Sequence, residues 1–292
     1  MLDLLRQRYI QTILERYGML NCSTVSTPAD PHVRLLKSAP DQQTETGNCQ
    51  RYQSAVGYLM YAIIGTRPDI AFAVSAVSQH NSNPGATHWT AVRRIFLYLS
   101  STKTLGLLYG RGLCAGYTDP HWGAGEDRKS IGGYVFLING AAVSWASKKQ
   151  PSVALSSTEA EYMALTQGVK ESLWLQQLLH DLGALKHQRE IQPIECDNQG
   201  AIALTKNPEY HARTKHVDIQ FHFIRQHVET NSGELSYCPT HEMTADIFTK
   251  PLPHPQCYKH TLGLGLGLSF EDWNSKFQKL NIDREETETG SD

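Results

Sequence analysis

The sequence predicts an α/β chain in which a helical segment precedes a mixed sheet flanked by helices. Three observations carry this. Apolar residues recur at helical spacing through most of the first 105 positions. Short β-rich runs punctuated by glycine begin near Leu107. After a block of hairpin-spaced strands, β-like and helical stretches alternate in the order βββ-α-β-α-α-β-α, which suits a sheet of mixed direction with helices on its faces.

Element by element, helical spacing runs from Leu2 to about Tyr17, with Gly18 as the C-cap. A polar stretch bearing several prolines, Ser26 to Gln50, has no period and reads as a linker. Helices are predicted over Tyr52–Ile64 and, opened by Pro68, over Asp69–His80. The segment HWTAVRRIFLYLSST sets Trp89, Val92, Phe96 and Leu99 on one helical face. The runs LLYG, LCAGYTD, GGYVFLI and AAVSWAS read as strands. A long helix extends from Ser157 to Leu182 and stops at Gly183. A strand in IQPIECD, a short helix in NQGAIALTK, a helix over Lys215–Glu229 and a strand in ELSYCPT follow. A last short helix begins near Met243 and meets Pro251, and the Leu-Gly alternation from Leu262 to Gly267 reads as a low-complexity linker. No Lys-Ser/Thr follows that alternation, so it is not a phosphate loop.

Composition bounds the function. The 292 residues carry a formal charge of −2, and the stretch Asp283–Asp292 alone holds five acids and one base, or −4. The rest is therefore near neutral, which excludes a strongly basic coat-type nucleic-acid binder but not a local basic groove. Six cysteines without a CxxC pair point to free thiols in a reducing compartment, and hence to an intracellular protein, cytoplasmic or nuclear. The longest near-apolar run, Tyr58–Ile64, is far short of the roughly 20 residues of a membrane span.

Four carboxylates stand at element ends. Asp119 closes a strand, Asp197 follows the apolar Pro193, Ile194 and Cys196, and Asp246 lies in TADIFTK. In SSTEAEYMAL, Glu159 and Glu161 are separated by about 200° around a helix, so they face opposite ways. Glu161 shares its face with Leu165, Gly168, Leu175 and Leu179 and is expected at the interior edge. Glu159 is expected to be solvated, paired with Lys170 or serving the first helical turn. Singly, each has an ordinary reading: Asp197 as an N-cap, Asp119 as a turn residue, Asp246 as an early-helix acid. Together, if Asp119 and Asp197 end adjacent strands, they form one edge that a covering helix can complete with Glu161. Such a cluster repels itself unless protonated or bound to a hard cation. Two metal ions about 4 Å apart are a standard arrangement for displacement at a phosphodiester.

At these residues the chain resembles a known family. The stretches YTDPHW, DRKSIGGYVFLI, SWASKKQ, ALSSTEAEYMAL, ECDNQGAIAL, HARTKHVDI and TADIFTKPLP, in order over residues 113–253, resemble the ribonuclease H domain of copia-type LTR retrotransposon Pol polyproteins. Upstream, YGMLNCSTVSTPADP, TRPDIAFAVS and NSNPGATHWTAVRRIFLYL resemble the reverse-transcriptase region between the polymerase palm and the ribonuclease H. The resemblance implies a ribonuclease H-like mixed five-stranded sheet flanked by helices. It divides the chain into a helical reverse-transcriptase remnant over 1–106, a ribonuclease H-like domain over 107–253 and a partly disordered extension over 254–292. It implies Asp119, Glu161, Asp197 and Asp246 as catalytic and metal-binding acids, with two Mg²⁺ ions that Mn²⁺ can replace. The substrate implied is an RNA–DNA hybrid whose RNA strand is hydrolysed, with no membrane involved.

Arg128, Lys129, Lys148, Lys149, Arg213 and Lys215 are candidates for holding the substrate backbone, and surface solvation is their ordinary alternative. His241, five residues before Asp246, occupies a loop where cellular relatives carry an auxiliary His. His254, Cys257 and His260 have no evident fourth partner for a metal. The polymerase signature Tyr-x-Asp-Asp is absent from the sequence. The expectation is a chain that does not synthesise DNA unaided, with a polymerase subunit supplying the palm. A catalytically silent element remnant that at most binds nucleic acid is the alternative.

Overall fold

The computed structural model describes residues 2–4, 7–38, 46–110, 114–184, 193–206, 218–229 and 235–267. Four helices, α1 (Gln7–Arg16), α2 (Thr46–Thr66), α3 (Ala71–Ser78) and α4 (Ala86–Ser101), form the N-terminal helical part. Their apolar faces meet in one core built on Ile13, Leu14, Tyr52, Leu59, Phe96 and Leu99. Pro68 opens a 3-10 turn (Pro68–Ile70) that leads into α3. Beside it, the fully buried Arg67 guanidinium forks onto Asp69, with Nε–Oδ1 2.9 Å and Nη2–Oδ2 2.6 Å, and Tyr98 donates to the same carboxylate at 2.8 Å.

The predicted mixed five-stranded sheet is present. It is built from β3 (Ala115–His121), β4 (Ile131–Ile138), β5 (Ala141–Lys149), β6 (Ile194–Cys196) and β7 (Leu235–Tyr237) in the order β5-β4-β3-β6-β7. The first three strands are hairpin-connected and antiparallel, and β3, β6 and β7 run parallel. Strand alternation gives the sheet two covered faces. Phe136 faces the helices α5 (Ser157–Asp181) and α7 (Asp218–Glu229), where Tyr162, Leu165, Val169 and Ile224 complete a core. Val135, Leu137 and Tyr117 face a second core containing Phe248, Leu252, Leu264 and Leu266. A short helix α6 (Gln199–Lys206) follows β6, and α8 (His254–Gly263) follows the 3-10 turn Thr244–Phe248.

Four expectations are corrected. The stretch read as a linker up to Gln50 is helix from Thr46, where α2 begins. Leu2–Leu4 is a strand, β1, not helix: it pairs with β2 (Gly106–Tyr109), and helix begins only at Gln7. A strand partner more than 100 residues away overrides local helical spacing here. The LLYG run is accordingly β2 of a separate three-stranded sheet, completed by β8 (Leu266–Gly267). The Leu-Gly alternation is thus no linker, because Leu264 and Leu266 are fully buried and Ala142 donates to the Leu264 carbonyl. The predicted helix near Met243 is a 3-10 turn, cut short because Pro251 follows it closely. Gly18 and Gly183 end their helices in the left-handed conformation as predicted. The expected disorder beyond Asp283 lies outside the described residues.

Candidate active site

Register explains why two acids meet. In the parallel pair, Tyr117 stands opposite Glu195, so Asp119 and Asp197, each two positions further along, reach the same level at neighbouring strand ends. Helix α5 supplies the third acid. It lies close on the sheet because Gly168 faces Thr118, where a Cβ would come within 2.4 Å of the Thr118 methyl. On the opposite face Gly133 admits the 3-10 turn, since a Cβ there would come within 2.7 Å of Phe248. That turn carries Asp246.

Carboxylate oxygens of Asp119, Glu161 and Asp197 all lie within 4.8 Å of one another. Asp119 and Glu161 are buried and Asp197 is half-buried. Asp246, also buried, stands close enough to Asp119 to act on its charge. Burial first, and Asp246 second, raise the Asp119 carboxyl to about 7. Burial, then Asp119 and Asp197, raise Glu161 to about 9. Burial also raises Asp246, against the opposing pull of Lys250.

Each acid is held by a neighbour. Thr249 Oγ1 donates to Asp119 Oδ2, and Thr240 Oγ1 donates to Asp197 Oδ2 at 2.9 Å. Lys250 Nζ lies 2.8 Å from Asp246 Oδ1, and the buried Cys196 thiol lies 3.8 Å from Glu161 Oε2. Sequence reasoning missed these partners. For Thr249 and Lys250 a signal existed: they follow Asp246 by three and four positions, the spacing that shares one side of a helical turn. Thr240 carried none. Glu159 is corrected as well. It is buried, not solvated, because its Oε2 accepts from the Leu155 amide (2.7 Å) while Ser156 Oγ accepts from the Glu159 amide (3.1 Å). This reciprocal cap serves the first turn of α5.

The basic candidates are divided. Lys129 Nζ donates to the Pro151 carbonyl at 2.7 Å, and Lys149 Nζ pairs with Asp127 at 3.3 Å. Arg128 and Lys148 are exposed, and Arg213 and Lys215 lie outside the described residues. His241 is exposed in the 3-10 turn Thr240–Glu242, its Nε2 3.7 Å from Glu242, next to the threonine that holds Asp197. All six cysteines are free thiols. No helix among the described residues is long and apolar enough to cross a membrane.

An all-oxygen set of carboxylates at this spacing suits a hard divalent cation such as Mg²⁺ or Mn²⁺. The raised affinities for protons are what such a set shows when nothing else neutralises it.

Three antiparallel strands, two more running parallel to β3, and acids converging at the ends of β3 and β6 give the mixed α/β arrangement that a ribonuclease H-like reading expects. A search of protein-family models finds no match. The chain is 46% identical over 254 residues to the retrovirus-related Pol polyprotein of transposon TNT 1-94 from Nicotiana tabacum, covering 85% of this chain and 19% of that protein. It is 36% identical over 255 residues to the Pol polyprotein of transposon RE1 from Arabidopsis thaliana, covering 86% and 17%. A solved ribonuclease H1 isolated from compost aligns over 47% of this chain and 92% of its own, at 17% identity and a TM-score of 0.37. The chain belongs to the copia-type retrotransposon Pol family, and it spans less than a fifth of the length of these polyproteins.

Proposed function

We propose that this chain hydrolyses the RNA strand of RNA–DNA hybrids in a metal-dependent reaction, as the ribonuclease H part of a retrotransposon Pol protein. The observation that carries this reading is the convergence of Asp119, Glu161 and Asp197 from a strand, a helix and a second strand end. Asp119, Glu161, Asp197 and Asp246 would hold two Mg²⁺ ions, with Mn²⁺ as a substitute. Bound there, the ions would supply the activation of the attacking water and the stabilisation of the leaving oxygen.

The chain's own residues supply position. Thr249 and Thr240 each hold one oxygen of the Asp119 and Asp197 carboxylates and so orient them. Lys250 offsets negative charge that would otherwise repel a phosphodiester. Arg128 and Lys148 are free to hold phosphates of the duplex without reading its sequence, and Lys129 and Lys149 would exchange their internal partners for the same purpose. Arg213 and Lys215 belong to the same proposed set. His241 is an auxiliary candidate through its place beside Thr240. The three-part division at 106/107 and 253/254 remains a proposal for how the Pol segments meet.

The test is incubation of the purified chain with a labelled RNA–DNA hybrid in Mg²⁺, Mn²⁺ or EDTA, with Asp197→Asn alongside. RNA-strand cutting that needs metal and disappears in the variant is the expected result. A folded chain that binds hybrid without cutting it would instead identify a silent binding module.

A further inference from the structure

A cleft of about 1020 Å³ lies between the helical half and the nuclease sheet. Helices α3 and α4 form one wall, and the β3–β4 loop with the end of β5 forms the other. The segment Thr27–Ser38 crosses between them. It is anchored to α4 where Arg94 donates to the Thr27 carbonyl (3.2 Å) and His88 Nε2 meets the Leu36 carbonyl (2.9 Å). On the nuclease side, Arg34 Nη2 donates to the Gly125 carbonyl (3.4 Å) and the Lys37 amide to Glu126 (3.2 Å).

The charge of this cleft is opposite to that of the chain. Six basic side chains line it (Arg34, Lys37, Arg93, Arg94, Lys148 and Lys149) against three acids (Asp30, Glu126 and Asp127), an excess of +3 where the whole chain carries −2. Arg94 pairs with Asp30 at 3.1 Å and Lys149 with Asp127 at 3.3 Å. The side chains of Arg34, Lys37, Arg93 and Lys148 have no acid partner among the described residues, and all four residues are exposed. An aromatic surface accompanies them: Trp122, 49% exposed, stands on the lip with its indole N–H on the Ala154 carbonyl.

The cleft opens next to the acids. Asp119, Gly133 and Ser147 form one row across the sheet, and Pro120, Gly132 and Lys148 form the next, with His121 and Trp122 beyond. A volume near the upper end of small-ligand sites, roughly 300–1,000 Å³, cannot enclose a duplex whose major groove alone is about 12 Å wide. Cations lining a narrow channel beside an aromatic face are the recognition chemistry of single-stranded nucleic acid.

We propose that this cleft binds a short single-stranded nucleic-acid segment extending from the hybrid at the acidic site, with Arg34 and Arg93 on its phosphates and Trp122 against a base. The proposal rests on the nuclease reading only for the direction in which the strand leaves. It adds a second binding site to which the helical half contributes.

The full chain, carrying Asp197→Asn to prevent cutting, is titrated by fluorescence anisotropy in Mg²⁺ against two labelled hybrids. One is blunt and the other carries a short single-stranded overhang, tried in both polarities. The expected result is about tenfold tighter binding of one overhang hybrid, an advantage that Arg34→Gln with Arg93→Gln returns to the blunt value and Trp122→Ala reduces. The overhang hybrid should also show a steeper salt dependence, by about 0.7 in log–log slope for each phosphate that Arg34 or Arg93 neutralises, and the double substitution should remove that excess. All three side chains are exposed, and thermal melts verify that the variants fold. Equal affinity for blunt and overhang hybrids overturns the proposal, as does an overhang advantage that survives the double substitution. Cutting of the blunt hybrid by the unsubstituted chain reads the nuclease separately, so either reading can fail alone.

Discussion

Lys250 Nζ sits 2.8 Å from Asp246 Oδ1, four residues on in the same short stretch, and places a cation against a cluster of carboxylates. Although burial disfavours its charge, Asp246, Asp119 and Asp197 push the Lys250 ammonium above its ordinary value. The pair is 31% exposed at the lysine and 7% at the aspartate, between a surface ion pair and a buried one. Lys250→Met should therefore destabilise the metal-free chain by about 1–3 kcal/mol. Thermal melts with and without Mg²⁺ check this, and added Mg²⁺ should raise the melting temperature of the variant more than that of the parent.

The acids also set a pH dependence. Asp119 and Glu161, raised to about 7 and about 9, hold protons in the folded chain that the unfolded chain releases near pH 4. Each unit of rising pH in that window therefore favours unfolding. Below about pH 6.5 the buried His80 and His260, lowered to about 4, act in the opposite sense and mask the effect. Between pH 6.5 and 9 the metal-free chain should lose about 2–4 kcal/mol through Glu161. Denaturant melts across that range should show the loss, and Glu161→Gln should flatten it.

The threonine hydroxyls on Asp119 and Asp197 orient those oxygens. Outer-shell partners of this kind are worth about 10–100-fold in metal affinity or activity. On the proposed reading, Thr249→Val should raise the Mg²⁺ concentration for half-maximal cutting within that range, whereas Thr249→Ser should retain the parent value. Isothermal titration with Mg²⁺ gives a readout independent of turnover.

Helix α5 reaches the sheet through Gly168. Gly168→Ala puts a methyl within 2.4 Å of the Thr118 methyl, so overpacking should cost about 1–3 kcal/mol. Thr118→Ser removes that methyl and should recover most of the loss, which a double-mutant cycle by chemical denaturation measures.

In the helical half, Asp69→Ala leaves the Arg67 guanidinium, 1% exposed, without its carboxylate. Breaking a buried pair on one side costs about 3–5 kcal/mol, so a large fall in melting temperature is expected. Nothing in TRPD distinguishes this buried pair from an exposed one by pattern, because local spacing does not report burial.

Local pattern determined much of this protein. Helical periodicity fixed α3 to α5 to within a few residues and α2 apart from its first six, Gly18 and Gly183 marked helix ends, and strand runs with glycines marked β3, β4 and β5. That Asp119, Glu161 and Asp197 can converge was legible because strand ends and one helix face follow from spacing, whereas Asp246, on a 3-10 turn, joined them only through the family resemblance. Tertiary structure decided the rest. Leu2–Leu4 became strand, Leu264 and Leu266 entered a core, Glu159 was buried as a cap, and Thr249 reached Asp119 across 130 positions. The same holds for the basic cleft, whose two walls come from separate segments of the chain. Except at Glu159, whose capping partners Leu155 and Ser156 are close by, the deciding partner is distant in sequence, and a spacing rule that reads a few neighbouring residues contains no information about which distant surface will cover them.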